Sequence, residues 1–149
     1  MALRAMWSDS LLAFERGHLI RLGIWAGLSV MIGAALWLFL SARRVNAPFI
    51  RNFAIQMFAW GCIDLAITTW GWQGLALRDY TSAMNMQHFL WLNLGLDVGY
   101  VMVGATLAAT GWIIGKRLGA LGAGIGVIVQ GLVLFVLDLR LLTIIGSSQ

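Results

Sequence analysis

The chain has 149 residues, 60% of them hydrophobic and 11% charged, with a formal net charge of +4. A soluble domain averages about 45–50% apolar and about 25% charged residues, so this chain carries too few polar groups to clothe a water-facing surface, and lipid is the expected solvent. The basic residues form short clusters between apolar runs, with no stripe along one face, which argues against nucleic acid as a partner. Cys62 is the sole cysteine, which excludes an intramolecular disulfide, dithiol redox chemistry and a zinc site built on several thiolates.

Residues 1–18 alternate Leu3, Met6, Trp7, Leu11 and Phe14 with Arg4, Asp9, Glu15 and Arg16. The apolar set has helical spacing and predicts a short amphipathic helix lying in the membrane interface; a frayed terminus is the alternative. Asp9 and Glu15 precede the first long apolar run, which is the wrong order for a cleavable signal peptide.

Four runs of spanning length follow, at about 20–41, 53–72, 89–115 and 118–140; a span needs roughly 20 apolar residues. The first is uncharged from Leu22 to Ser41, the second is interrupted only by Asp64 and the third only by Asp97. The fourth is uncharged from Leu118 to Leu137, followed by Asp138 and Arg140. None shows the two-residue alternation of a barrel strand. The expected fold is all-α: one membrane domain over residues 1–149, a four-transmembrane-helix bundle with a short interfacial helix at its amino end. Gln73 to His88 is expected to be the longest and most polar loop. Cys62, inside an apolar run, reads as a small buried hydrophobe.

The loops after the first and third spans hold Arg43, Arg44, Arg51, Lys116 and Arg117 without an acid. The positive-inside rule therefore places them in the cytoplasm and both termini outside, in a multi-pass protein of the inner (cytoplasmic) membrane. Most of the eight Trp fall near span ends, as an aromatic belt would. Glycine pairs four residues apart (Gly23 and Gly27, Gly95 and Gly99, Gly111 and Gly115, Gly115 and Gly119, Gly122 and Gly126) place small residues on one helix face, where backbones approach closely. In the third span Asn93, Asp97, Gly104, Ala108, Gly111 and Gly115 form a small-and-polar stripe, read as the face turned toward the other helices.

Three polar groups fall near the bilayer midplane. At about 1.5 Å per residue, Asp64 lies about 16 Å along span two, Gln130 at a similar height in span four, and Asp97 about 12 Å in from the other side. A carboxyl at that depth is costly unless protonated or paired. Asp64, Asp97 and Gln130 are therefore expected to form one intramembrane polar cluster, with Asn93, Gln56, Thr68 and Tyr100 around it. Two readings compete: a proton or cation pathway, and a hydrogen-bonded lock that fixes helix register. The lock is favoured, because the cytoplasmic halves of spans three and four offer no polar route onward. A second group, His18 with Met84, Met86 and His88, has donors suited to copper(I) or, through the two histidines, to a haem or pigment. Interfacial side chains without a ligand are the simpler reading, and no cofactor or metal is expected.

Two stretches, Gln56 to Ala66 with its Gln56, Trp60, Gly61, Asp64, Leu65 and Ala66, and Asn93 to Tyr100 with its Asn93, Gly95, Leu96, Asp97 and Tyr100, resemble the paired motifs of an uncharacterised family of small bacterial four-helix integral membrane proteins. The resemblance implies a fold and a membrane location but no activity. Small multidrug antiporters fit less well, because they need an embedded glutamate in the first helix.

No P-loop, G-x-S-x-G, H-E-x-x-H or C-x-x-C motif occurs, and no nucleophile is paired with a base, so the chain is not expected to be an enzyme. The leading expectation is an accessory or scaffold subunit of a larger membrane complex, with the lipid bilayer and either other membrane subunits or further copies of the chain as partners. One alternative is a small proton- or cation-coupled transporter or channel using the midplane carboxylates. The other is a haem-, pigment- or copper-binding membrane protein.

Overall fold

The computed structural model describes the backbone of residues 2–147 and the side chains of residues 8–146. The described residues form four helices: α1 (Ala2–Ala42), α2 (Pro48–Gln73), α3 (Tyr80–Ile113) and α4 (Leu118–Ser147). Each contains a stretch long and apolar enough to cross a membrane, and together they form an all-α four-helix bundle.

The helix boundaries differ from the sequence expectation at several points; α4, for one, runs on to Ser147. The amino-terminal helix is present but runs unbroken into the first span, giving one element of 41 residues. Nothing between Gly17 and Gly23 breaks its hydrogen bonds, and at about 1.5 Å per residue it is about 60 Å long, twice a hydrocarbon core. Leu3, Met6 and Trp7 of the expected amphipathic face lie outside the described side chains. Next, α2 begins at Pro48. A proline in the first turn loses no hydrogen bond there, so Arg51 lies on the helix and not in the loop. Finally, α3 begins at Tyr80, nine residues before the apolar run. Asp79 caps it, accepting from the Ser82 backbone N–H at 2.8 Å. Its carboxyl is held below the ordinary carboxylate range by the Ser82 hydroxyl and then by that N–H. The expected long loop is therefore short, and Met84, Met86 and His88 are helical.

The α3–α4 turn is tight. Gly115 and Lys116 both take left-handed backbone angles (φ 78° and 51°), and the Arg117 N–H returns to the Gly111 carbonyl. Gly115 thus ends the α3 stripe instead of extending it.

Helix α4 is the hub. It packs on α3 and α2 and touches α1, while α1 packs on α2. Glycine makes these approaches possible: a Cβ on Gly104 of α3 would lie 2.7 Å from the Gly124 carbonyl oxygen of α4, and one on Gly124 would lie 2.5 Å from that of Gly104. On another side of α4, a Cβ on Gly126 would lie 2.7 Å from the Gln56 Cβ. Among the described residues, the α2 and α3 backbones do not pack on each other. That gap positions the site.

Candidate functional site: an acidic crevice between the second and third helices

The helical repeat builds the crevice from one face of each helix. Glu15, His18, Leu19 and Leu22 of α1 line it at spacings of three, one and three residues. Trp60, Ile63, Asp64, Ile67 and Trp70 do so from α2, and Met86, Phe89, Leu90, Asn93, Asp97 and Tyr100 from α3. Leu134, Asp138 and Leu141 complete it from α4. These are the i, i+3, i+4, i+7 positions of an inward helix face. The cavity has a volume of about 490 Å³. It occupies the half of the bundle near the α2–α3 loop. Trp60 and Tyr100, the deepest residues, bring their rings to 4.8 Å between centroids and bridge the two helices that otherwise stand apart.

Four carboxyls line this space. At the loop end, Glu15 receives the Arg78 guanidinium as a two-pronged ion pair, with Nε donating to Oε2 at 2.9 Å and Nη2 donating to Oε1. The bond to Glu15 raises the Arg78 pKa above its ordinary value. Deeper, His18 Nε2 stands 3.3 Å from Asp138 Oδ1, and its ring also hydrogen-bonds the Leu137 carbonyl. Asp138 in turn accepts from the Asn93 side chain. Asp64 and Asp97 have no comparable partners. Asp64 is 1% exposed and Asp97 4%, and the Oδ2 atom of each is buried without a hydrogen bond. Asp97 lies within electrostatic reach of both Asp138 and Asp64.

The expected polar cluster is therefore regrouped. Asp64, Asp97, Asn93 and Tyr100 line one cavity; Gln130 does not. Its Oε1 accepts from Trp25 Nε1 at 2.7 Å, and its Nε2 donates to Ser29 Oγ at 3.1 Å and faces the Met57 sulfur at 3.5 Å. Gln130 thus ties α4 to α1 and α2 at the level of Met57. Seven residues, or about 10 Å of helix rise, separate Met57 from Asp64. Gln56 sits lower still, packed on Gly126. Thr68 donates to the Asp64 backbone carbonyl at 2.7 Å.

The two histidines part company: His18 is buried on Asp138, whereas His88 is exposed on α3 and does not line the crevice. Of the two methionine candidates, Met86 lines it and Met84 does not. Among the described residues no group of three or more His, Cys, Asp or Glu side chains stands close enough to hold a metal ion. Cys62 is exposed, because one residue of helical turn separates it from Gly61, which is packed against α1.

The sequence places Glu15 in an interfacial helix and Asp138 just after the uncharged stretch of the fourth span, and neither is expected in the cluster. The signal that would have found them is phase: Asp138 shares a helix face with Leu134 and Leu141, and Glu15 with His18, Leu19 and Leu22. A smaller cavity of about 320 Å³ between α1 and α2 is lined by residues such as Gly33, Trp37, Ala54 and Phe58 and offers no group to orient a polar ligand.

Residues 21–139 match a family of unknown function (DUF6992), and the chain belongs to that family. No curated protein matches the chain. No solved structure matches it either.

Proposed function

We propose that this member of a family without an assigned activity is a multi-pass membrane protein that holds a ligand inside its bundle, as a binding or transport unit without bond-making chemistry. One observation carries the reading: the unpartnered Oδ2 atoms of Asp64 and Asp97, both buried at the wall of a cavity of about 490 Å³. A purely structural lock satisfies its polar groups, as Gln130 does, because a buried acceptor left without a donor costs about 1–3 kcal/mol. Cavities of about 300–1,000 Å³ with a few convergent polar groups are the usual form of a ligand site. The crevice also gives a polar route from Glu15 and Arg78 at the α2–α3 end of the bundle to Asp64 and Asp97 within it.

The basic loops support an orientation. Arg43, Arg44, Lys116 and Arg117 share the end opposite the crevice mouth, with Arg43 over the Phe39 ring and Lys116 over the Trp112 ring. The positive-inside rule puts that end in the cytoplasm, and the crevice mouth faces away from it.

The test is thermal unfolding of the detergent-purified protein against a panel of inorganic cations and of cationic, neutral and anionic amphiphiles, with proton and cation flux measured in reconstituted liposomes. A ligand at about 100 times its Kd stabilises by about 2.7 kcal/mol. Stabilisation or flux seen in the wild type and lost in Asp64→Asn or Asp97→Asn supports the proposal. Neither effect from any class refutes it.

A second reading, the accessory or scaffold subunit, draws on a different observation. Gly95 and Gly99 of α3 are exposed, and a Cβ on either would meet nothing within 4 Å. Close helix approach there needs a partner from outside the chain. Co-migration with other membrane proteins on native electrophoresis after gentle extraction, lost in Gly99→Leu, is the result this reading requires.

A further inference from the structure

Charge and hydrogen-bond supply within the crevice define its ligand more narrowly. Four carboxyls (Glu15, Asp64, Asp97 and Asp138) face one guanidinium and one imidazole. Arg78 is committed to Glu15, and His18 and Asn93 to Asp138. The charged donors that would greet an anion are thus already engaged, leaving only the neutral indole and phenol groups of Trp60, Trp70 and Tyr100, while two buried carboxylate oxygens await a donor. The space is far larger than a bare monatomic cation fills, and the carboxyls are not gathered as a metal site.

The remaining walls are apolar and aromatic. Trp60 and Tyr100 lie beyond the carboxyls, and aromatic faces attract cations. Ile63, Ile67 and Phe89 line the cavity and are also 47%, 48% and 55% exposed. They form the two edges of the gap that α2 and α3 leave by not packing on each other. A ligand passing that gap needs an apolar body to cross the lipid-facing edge and a cationic donor to reach the acids.

We infer that the crevice takes an amphipathic organic ammonium ion, entering sideways between α2 and α3, with its nitrogen between Asp64 and Asp97 and its apolar body along Trp60, Ile63, Ile67 and Phe89. The inference rests on the ligand-binding reading above and narrows it to one chemical class. The ammonium supplies several N–H donors to oxygens of two different helices, so occupation ties α2 to α3 where the backbones make no contact.

The probes are 4-phenylbutylammonium, its neutral analogue 4-phenylbutan-1-ol and the anion 4-phenylbutyrate, titrated calorimetrically into the full chain in phosphatidylglycerol nanodiscs. The expected result is saturable binding of the ammonium, with the alcohol at least about tenfold weaker and the anion not bound. Asp64→Asn and Asp97→Asn each weaken the ammonium by roughly thirtyfold or more and leave the alcohol unchanged. Ile63→Trp, placed on the exposed edge where it fills the entrance without disturbing the bundle interior, weakens ammonium and alcohol alike. Replacing half the lipid by phosphatidylethanolamine separates two sources of the same chemistry: competition assigns the ammonium to a lipid headgroup, and no competition assigns it to a free amine. Equal affinity for ammonium and alcohol, indifferent to Asp64→Asn, overturns the cation assignment while the ligand crevice stands. No saturable binding of any probe to folded wild type overturns the inference. The inorganic-cation and proton experiments above then decide separately whether the broader reading fails with it.

Discussion

The His18 imidazole meets the Asp138 carboxylate at 3.3 Å and so joins the first helix to the last across the crevice. Both residues are buried, and Asp138 also accepts from Asn93 of α3, so one carboxyl links three helices. Asp138→Leu strands both partners, and each lost bond costs about 1–3 kcal/mol. Asp138→Asn keeps a polar group in place and is expected to cost less. A double-mutant cycle with His18→Ala and Asp138→Ala, read by thermal unfolding in detergent, is expected to give a coupling of about 0.5–3 kcal/mol. A coupling of zero would show that the contact contributes nothing to holding α1 on α4.

Gln130 and Asp64 are predicted to separate stability from ligand binding. Gln130→Leu leaves the Trp25 N–H and the Ser29 hydroxyl without their partner and lowers stability by about 1–3 kcal/mol, with the crevice ligand bound as before. Asp64→Asn keeps shape and stability but loses the cationic ligand. Unfolding and binding measured on both variants check the pair. The reverse pattern would mean that Gln130 and not Asp64 serves the site.

The glycines divide into contacts and open positions. Gly104→Val or Gly124→Val drives a side chain into the facing backbone, 2.7 or 2.5 Å from its carbonyl oxygen, and is expected to cost about 1–3 kcal/mol or more. Gly95→Ala and Gly99→Ala meet open space and should gain about 0.5–1 kcal/mol from helix propensity. Thermal unfolding of the four variants gives the comparison, and similar behaviour of both sets would contradict the α3–α4 packing.

Orientation is tested by cysteine labelling in a Cys62→Ser background, which leaves the introduced thiol as the sole one. Leu77, on the α2–α3 connection, is exposed and suits the label. An impermeant maleimide applied to intact cells should label Leu77→Cys and spare Asn46→Cys in the opposite loop. Labelling of Asn46→Cys alone would invert the topology and move the crevice mouth to the cytoplasmic side.

The apolar composition and the length of four runs determined by themselves that this chain forms four long apolar helices, because a backbone without water must satisfy its own hydrogen bonds. The 3.6-residue repeat determined the inward face of α3 as well: Asp97, Gly104, Ala108 and Gly111 are buried, as their spacing implied. Periodicity fixes the angle of a residue about its helix axis. It does not fix how far one helix slides along another, and that offset decides which polar groups meet. Starting α2 at Pro48 and α3 at Tyr80, and seating α4 through Gly104, Gly124 and Gly126, set the axial register that places Gln130 beside Met57 and Ser29 and places Asp138 beside His18. Equal depth had suggested that Gln130 would join Asp64 and Asp97; only the packed bundle, with α4 at its centre and a gap between α2 and α3, decided that the two aspartates face a cavity with Asp138 and Glu15 instead.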